Sequence, residues 1–211
     1  EYGTDDWPEI LIDWMSANIK YTRAKVAAHS RTDVWWRSVG YAVARFDGML
    51  AAYQQHRDKA DLPISEVELW LCQSVGDLCD INQFLNRDVS TGKIVEHSAQ
   101  WHDLHHHCSA LIRLRDDFRD VYVGHNTWSP LNDLNRILKD YEFDIADTEI
   151  SAHRWTFSGF ASLLYSIDDL WVMDTNIVVY ETSLHTWNLT LYDLYCKPES
   201  VLNWIRVQVA N

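Results

Sequence analysis

Two arginines and a histidine near the middle of the sequence have a spacing that suits phosphodiester chemistry. Arg115 and Arg119 are four residues apart, and His125 directly follows Gly124. If a helix stops at this glycine, the chain reverses there and can return the imidazole toward the two guanidinium groups. A histidine so placed moves the proton of an RNA 2′-hydroxyl while an arginine holds the phosphate with two hydrogen bonds. The pattern indicates a ribonuclease site that needs neither a metal nor a cofactor.

The segment from Arg119 to His125 resembles the Arg-x(4–6)-His signature of HEPN domains. Its opening Arg119-Asp120 is similar to the variant of abortive-infection HEPN proteins, and the resemblance covers roughly residues 101–171. It implies a helical bundle that dimerises, with two copies of the motif facing one cleft. It also implies that Arg119 stabilises the phosphate or the transition state, that Asp120 orients the arginine or the imidazole, and that His125 is the acid or base.

The function expected from this resemblance is a metal-independent endoribonuclease of a bacterial defence or toxin system. Arg115 and Asn126 flank the motif and are predicted to bind the RNA substrate. We expect a homodimer, and an antitoxin or another partner protein. The net charge of −13 favours an alternative, a degenerate HEPN relative that acts as a non-catalytic interaction module, because RNA affinity is built from many Lys and Arg contacts to phosphate.

A histidine-rich run just before the motif suggests a metal-binding bundle as a weaker alternative. His102 with His105 or His106 has the spacing of two imidazoles on one helix face. Helical di-metal sites need a carboxylate-x-x-His pair on each of two helices, and Asp103 with His106 is the one clear pair nearby. We therefore predict no metal site, and we keep these three histidines as the alternative ligands.

The remaining sequence features predict a cytoplasmic protein with no association with membranes. Its four cysteines are dispersed without a CxxC pair, which favours reduced thiols in the core: Cys72, Cys79, Cys108 and Cys196. The residues Glu1 to Asp6 lack the basic-then-apolar order of a signal peptide. For that reason Asn188-Leu189-Thr190, which matches the N-glycosylation pattern, is interpreted as a chance match.

Composition and periodicity together predict an all-α protein. Hydrophobic residues make up 47% of the chain, while Gly and Pro total only 7 and 4, which favours long helices. The expected helices span approximately 7–29, 33–57, 65–84, 93–123, 130–141, 150–171, 175–195 with a possible extended start, and 201–209. They imply one domain over residues 1–211, a bundle of about six to eight helices with a HEPN-like core at approximately 64–172.

Overall fold

The chain combines helices with antiparallel sheets in the computed structural model. Its described residues are 7–57, 63–85, 108–127, 135–182, 188 and 190–210. They form six helices and six strands, so the prediction of an all-α bundle is wrong. None of the helices among these residues combines the length and the hydropathy that crossing a membrane requires.

The helices lie at the two ends of the sequence. They are α1 (Glu9–His29), α2 (Val34–His56), α3 (Glu66–Gln73), α4 (Val75–Leu85), α5 (Thr190–Tyr195) and α6 (Asn203–Ala210). The predicted helix starts are confirmed where a cap marks them: the Asp33 carboxylate accepts from the Trp35 N–H at 2.9 Å, and Ser65 and Glu68 form a capping box. The helix predicted over 65–84 is divided into α3 and α4 at Ser74.

Backbone contacts divide the chain into two compact units, residues 1–99 with 186–210 and residues 100–185. The core of the first unit is aromatic. The ring centroid of Trp70 lies 4.8 Å from that of Phe46 and 4.8 Å from that of Trp204, both edge to face. All three side chains are fully buried. The prediction of a single domain stays a prediction.

The second unit contains both sheets. Its strands are β1 (Cys108–Leu114), β2 (Val121–Thr127), β3 (Ile137–Glu142), β4 (Arg154–Gly159), β5 (Leu170–Met173) and β6 (Val178–Tyr180). The first two strands form a two-stranded hairpin, and the other four form a sheet in sequential order. All neighbours are antiparallel, as short connections between consecutive strands require.

The strands replace helices that the spacing of apolar residues had predicted. The described part of the predicted helix 93–123 is β1, a turn and the start of β2. In β4 the buried residues alternate, Trp155 and Phe157 facing inward, which is the period of a strand. The helical spacing expected over 150–171 arose because residues of β4 and of the loop after it were counted as one periodic series.

The other two helices predicted in this region, over residues 130–141 and 175–195, lie partly outside the described residues. Residues 128–134, which include the expected helix start at Ser129-Pro130, lie outside the described residues, and the rest of that segment is β3. The segment expected to be helical over 175–195 contains β6 and then α5, with residues 183–187 and 189 outside the described part. The final helix is confirmed as α6.

Candidate active site

The predicted catalytic residues lie on the β1–β2 hairpin, not at the end of a helix. Arg119 and Asp120 are in the turn, whereas His125 is the fifth residue of β2. Gly124, expected to terminate a helix, pairs with Leu111 inside the hairpin. The backbone of His125 is therefore about 13 Å along the strand from the end of the turn, and the hairpin does not bring Arg119 and His125 together.

The two residues predicted to bind substrate are also on this hairpin. Arg115 follows β1 and its guanidinium lies 3.1 Å from the Asp117 carboxylate. Asn126 is exposed in β2 and pairs with Ser109, so its side chain is on the opposite face of the hairpin from His125. The alternative metal ligands His102, His105 and His106 lie outside the described residues.

A thiol shares the face of the hairpin that carries His125. Cys108 pairs with Thr127, and Ala110 pairs with His125. Residues directly opposite each other in an antiparallel pair point to the same face, and so do residues two apart on one strand. Cys108 and His125 are thus diagonal neighbours on one face. The Cys108 thiol is solvent-accessible and is not the core thiol that the sequence predicted.

A carboxylate completes a cluster with these two side chains. The Cys108 Sγ, a ring nitrogen of His125 and a carboxylate oxygen of Asp169 all lie within 4.8 Å of one another. Asp169 directly precedes β5 and adopts a left-handed backbone conformation, with φ of 54°. Its carbonyl accepts a hydrogen bond from the Glu181 N–H at 3.1 Å, which ties this strained residue to the chain after β6.

The imidazole of His125 has one nitrogen available for proton transfer. Its Nδ1 lies 3.4 Å from the Thr127 Oγ1, while its Nε2 is buried with no hydrogen-bond partner among the described residues. The ring lies 6.1 Å from the ring of Tyr180, whose hydroxyl donates to the Leu111 carbonyl at 3.1 Å. A buried nitrogen whose hydrogen bond is not satisfied is suited to exchange a proton with the neighbouring thiol or with a bound substrate.

The adjacent carboxylates Asp168 and Asp169 have different surroundings. Asp168 accepts from Arg136 at 3.0 Å and from the Ser158 hydroxyl at 2.5 Å, so its charge is neutralised within the fold. The pKa of Asp169 is raised to about 7, first by burial and then by the nearby carboxylates of Glu181 and Asp168. A carboxyl whose pKa is raised by burial and by neighbouring charges marks a candidate functional site.

The raised pKa of Asp169 makes a prediction for stability. The folded chain holds this proton more tightly than the unfolded chain, so the associated stability is present at acidic pH and is lost as pH rises through about 7. We expect the free energy of unfolding to fall by about 2 kcal/mol between about pH 4 and pH 8, half the value for a fully buried carboxyl because Asp169 is partly exposed.

Denaturant titrations at several pH values measure this fall. Asp169→Asn should remove it, and the substitution Asp144→Asn at an exposed carboxyl should leave it in place. A profile for Asp169→Asn that matches the unsubstituted chain would show that Asp169 titrates as an ordinary carboxyl.

Sequence reasoning found His125 but did not connect it with Cys108 or Asp169. Cys108 and Asp169 are far apart in the sequence, and a helix over residues 93–123 would hold residue 108 about 22 Å from the helix end that precedes His125. The signal present in the sequence was the β-branched and aromatic run Val121-Tyr122-Val123, which favours a strand. A hairpin around the Asp116-Asp117 turn would have placed residue 108 beside residue 125.

The cluster combines the three parts of nucleophilic catalysis: a thiol, a base beside it and a carboxyl near the base. The same three side chains are also a common set of zinc ligands, and three protein ligands would leave one tetrahedral position open. The geometry therefore supports either a thiol nucleophile or a three-ligand metal site.

The whole chain matches one known family. The sequence profile of the family Phospholipase B matches residues 3–211. Phospholipase B-like protein B of Dictyostelium discoideum is 33% identical over 214 residues, and the alignment covers 100% of this chain and 37% of that protein. Phospholipase B-like 1 of Rattus norvegicus is 31% identical over 94% of the chain and 35% of its own length. Phospholipase B of Crotalus adamanteus is 27% identical, with 94% and 36% covered.

The chain thus spans little more than a third of the length of these relatives. This match corrects the assignment to HEPN domains. The HEPN resemblance rested on the seven residues from Arg119 to His125, and these lie in a turn and a strand, not in a helix. The HEPN assignment is wrong, and so is the predicted ribonuclease of a bacterial defence or toxin system. The chain belongs to the phospholipase B family.

Proposed function

We propose that this chain carries the nucleophile of a thiol-dependent acyl hydrolase that cleaves the fatty-acid ester bonds of phospholipids. The observation that carries the proposal is the cluster of Cys108, His125 and Asp169. The thiol sulfur, a ring nitrogen and a carboxylate oxygen of these residues lie within 4.8 Å of one another. The substrate class is taken from relatives named phospholipase B or phospholipase B-like. Because the chain spans about a third of those relatives, the activity and substrate of the whole protein are part of the proposal.

In the proposed first step, His125 accepts the proton of the Cys108 thiol. The thiolate attacks the ester carbonyl carbon, a carbon–sulfur bond forms, and the bond to the alcohol oxygen breaks. The imidazolium then donates its proton to the departing alkoxide, which leaves as a lysophospholipid or a glycerophosphodiester. The product of this step is a thioester between the fatty acid and Cys108.

Hydrolysis of that thioester completes the cycle. His125 takes a proton from water, the resulting hydroxide attacks the thioester carbonyl, and the carbon–sulfur bond breaks. The fatty acid leaves and Cys108 recovers its proton from the imidazolium. Asp169 acts as a positioning group in both steps, because its carboxyl lies beside the imidazolium that each step forms and stabilises that cation when it is ionised.

Selective alkylation of the four cysteines tests whether His125 activates Cys108. We expect iodoacetamide to modify Cys108 faster than Cys72 or Cys79, since burial raises the pKa of those two thiols. The substitution His125→Ala should slow the modification of Cys108 by at least about tenfold and leave that of Cys72 unchanged. Peptide mass spectrometry measures all four rates in one sample.

Two results would contradict the proposal. One is a Cys108 that reacts no faster than Cys72, and the other is a rate at Cys108 that His125→Ala does not change. A third measurement decides between the nucleophile and the metal site, namely the zinc content of protein purified without chelators. Stoichiometric zinc that is lost in Cys108→Ala, together with hydrolysis that a chelator abolishes, would assign the cluster to a metal.

A further inference from the structure

A cleft of about 320 Å³ lies within the first compact unit. Helices α1, α4, α5 and α6 contribute side chains to its wall, among them Trp14, Asp80, Tyr192, Tyr195 and Arg206. Small-molecule sites have volumes of about 300 to 1,000 Å³, so this cleft suits a compact ligand. The five side chains are aromatic or charged, with both signs of charge present, and they indicate the chemistry of that ligand.

Helices α4 and α5 contribute a carboxylate and phenol rings. The Tyr192 hydroxyl donates to the Asp80 Oδ1 at 2.8 Å. Burial, and then the Asp80 carboxylate, raise the pKa of Tyr192, so the hydroxyl keeps its proton and the pair carries the charge of the carboxylate. Tyr195 is three residues after Tyr192 on the same helix, and it is 72% exposed. Phenol rings beside a carboxylate are the surroundings that bind a quaternary ammonium group.

Helices α1 and α6 contribute hydrogen-bond donors. Trp14 is only 7% exposed, and its Nε1–H is buried with no hydrogen-bond partner among the described residues. A buried donor of this kind needs an acceptor. Arg206 is exposed, and its Nη2 donates to the Asn203 Oδ1 at 3.3 Å, which leaves further guanidinium N–H groups for a ligand. Together, a guanidinium and an indole N–H suit a phosphate group, whose oxygens are strong acceptors.

We propose that this cleft binds a phosphocholine group. The quaternary ammonium contacts Asp80, Tyr192 and Tyr195, and the phosphate accepts hydrogen bonds from Arg206 and Trp14. Phosphocholine carries a cation and an anion, which matches a lining with both signs of charge. The group occurs free in solution and as the headgroup of phosphatidylcholine, and the same contacts hold either form. This binding site goes beyond the proposed hydrolase and does not depend on it.

Isothermal titration calorimetry with free phosphocholine measures the binding, and three substitutions separate its two ends. Asp80→Asn keeps an acceptor for Tyr192 but removes the charge, so it should weaken phosphocholine binding by at least about tenfold without weakening that of inorganic phosphate. Arg206→Gln should weaken the binding of phosphocholine and of inorganic phosphate, and not that of choline. Tyr195→Leu, at an exposed position, should weaken the binding of phosphocholine and of choline.

Two matched controls come from the same compact unit. Asp13→Asn and Arg31→Gln alter exposed charged residues that do not line the cleft, so both should bind phosphocholine like the unsubstituted chain. Circular dichroism shows whether each variant is folded. Cys108→Ala should also bind phosphocholine unchanged, since this probe has no acyl ester. A failure of the binding proposal is therefore distinguishable from a failure of the proposed hydrolase.

Vesicles distinguish the two sources of the group. Sedimentation with phosphatidylcholine vesicles that is lost in Asp80→Asn would identify a lipid headgroup, whereas binding of free phosphocholine without sedimentation would identify a water-soluble ligand; both support the proposal. Three results would overturn it. They are no binding of phosphocholine at millimolar concentration, an affinity that neither Asp80→Asn nor Arg206→Gln changes, and equal sedimentation with phosphatidylglycerol vesicles, which lack the quaternary ammonium.

Discussion

Replacing Cys108 with alanine is expected to lower acyl-ester hydrolysis by about 1,000-fold or more. The substitution removes the only atom in the cluster that forms a bond to the acyl carbon in the proposed mechanism. Alanine fits at this position without disturbing the hairpin, because Cys108 is the first residue of β1 and is accessible to solvent. The substitution should therefore lower the rate of hydrolysis and leave the free energy of unfolding unchanged.

Two substrates measure the loss. A soluble p-nitrophenyl ester reports the chemistry with the fewest demands on substrate binding, and phosphatidylcholine in detergent micelles reports the proposed substrate class. Cys72→Ala is the matched control, since Cys72 lies on α3 in the other compact unit and should not affect either rate. Equal rates for Cys108→Ala and the unsubstituted chain would show that another residue is the nucleophile.

Replacing Lys139 with methionine is expected to lower the free energy of unfolding by about 3 kcal/mol. Lys139 is only 7% exposed, and its ammonium donates to the backbone carbonyls of Phe160, at 2.6 Å, and of Leu163. Methionine fills nearly the same volume but donates no hydrogen bond, so buried carbonyl groups lose a charged donor. The loop that these bonds hold leads directly to Asp168 and Asp169.

Chemical denaturation measures this effect, with Lys20→Met as the matched control at an exposed lysine of α1. The control should change stability by less than about 0.5 kcal/mol. A loss below about 1 kcal/mol in Lys139→Met would show that the carbonyl groups find other donors. If the loop positions Asp169, iodoacetamide should also modify Cys108 of the Lys139→Met variant at a changed rate. A purely local loss of stability would not change that rate.

The parts of the fold that follow from local chemistry were predictable from the sequence. The starts of α2 and α3 depend on Asp33 and on the Ser65–Glu68 capping box, each within three residues of its partner. The sheets were not predictable in the same way. The β1 strand carries apolar side chains on both faces, Leu111 on one and Ile112 on the other, and without alternation a strand cannot be distinguished from a buried helix by spacing.

In the candidate site, too, the feature that depends on residue type was predictable and the features that depend on long-range contacts were not. His125 was recognised as a proton-transfer residue from its type, but its partner was taken from the arginines nearby in sequence. The actual neighbours depend on the β1–β2 register, which aligns Cys108 with Thr127, and on the chain reversal that brings Asp169 to the hairpin. Both are long-range contacts, and a register shift of one residue would place Cys108 on the opposite face from His125.

Trapping of the covalent intermediate tests the central proposal most directly. The chain is mixed with excess p-nitrophenyl ester, quenched in acid within the first turnovers, and analysed by intact mass and peptide mapping. We predict one acyl group on the peptide that begins the β1 strand, attached to Cys108 as a thioester that hydroxylamine removes. An acyl group on a different residue, or turnover without any acylation of Cys108, would contradict the proposal.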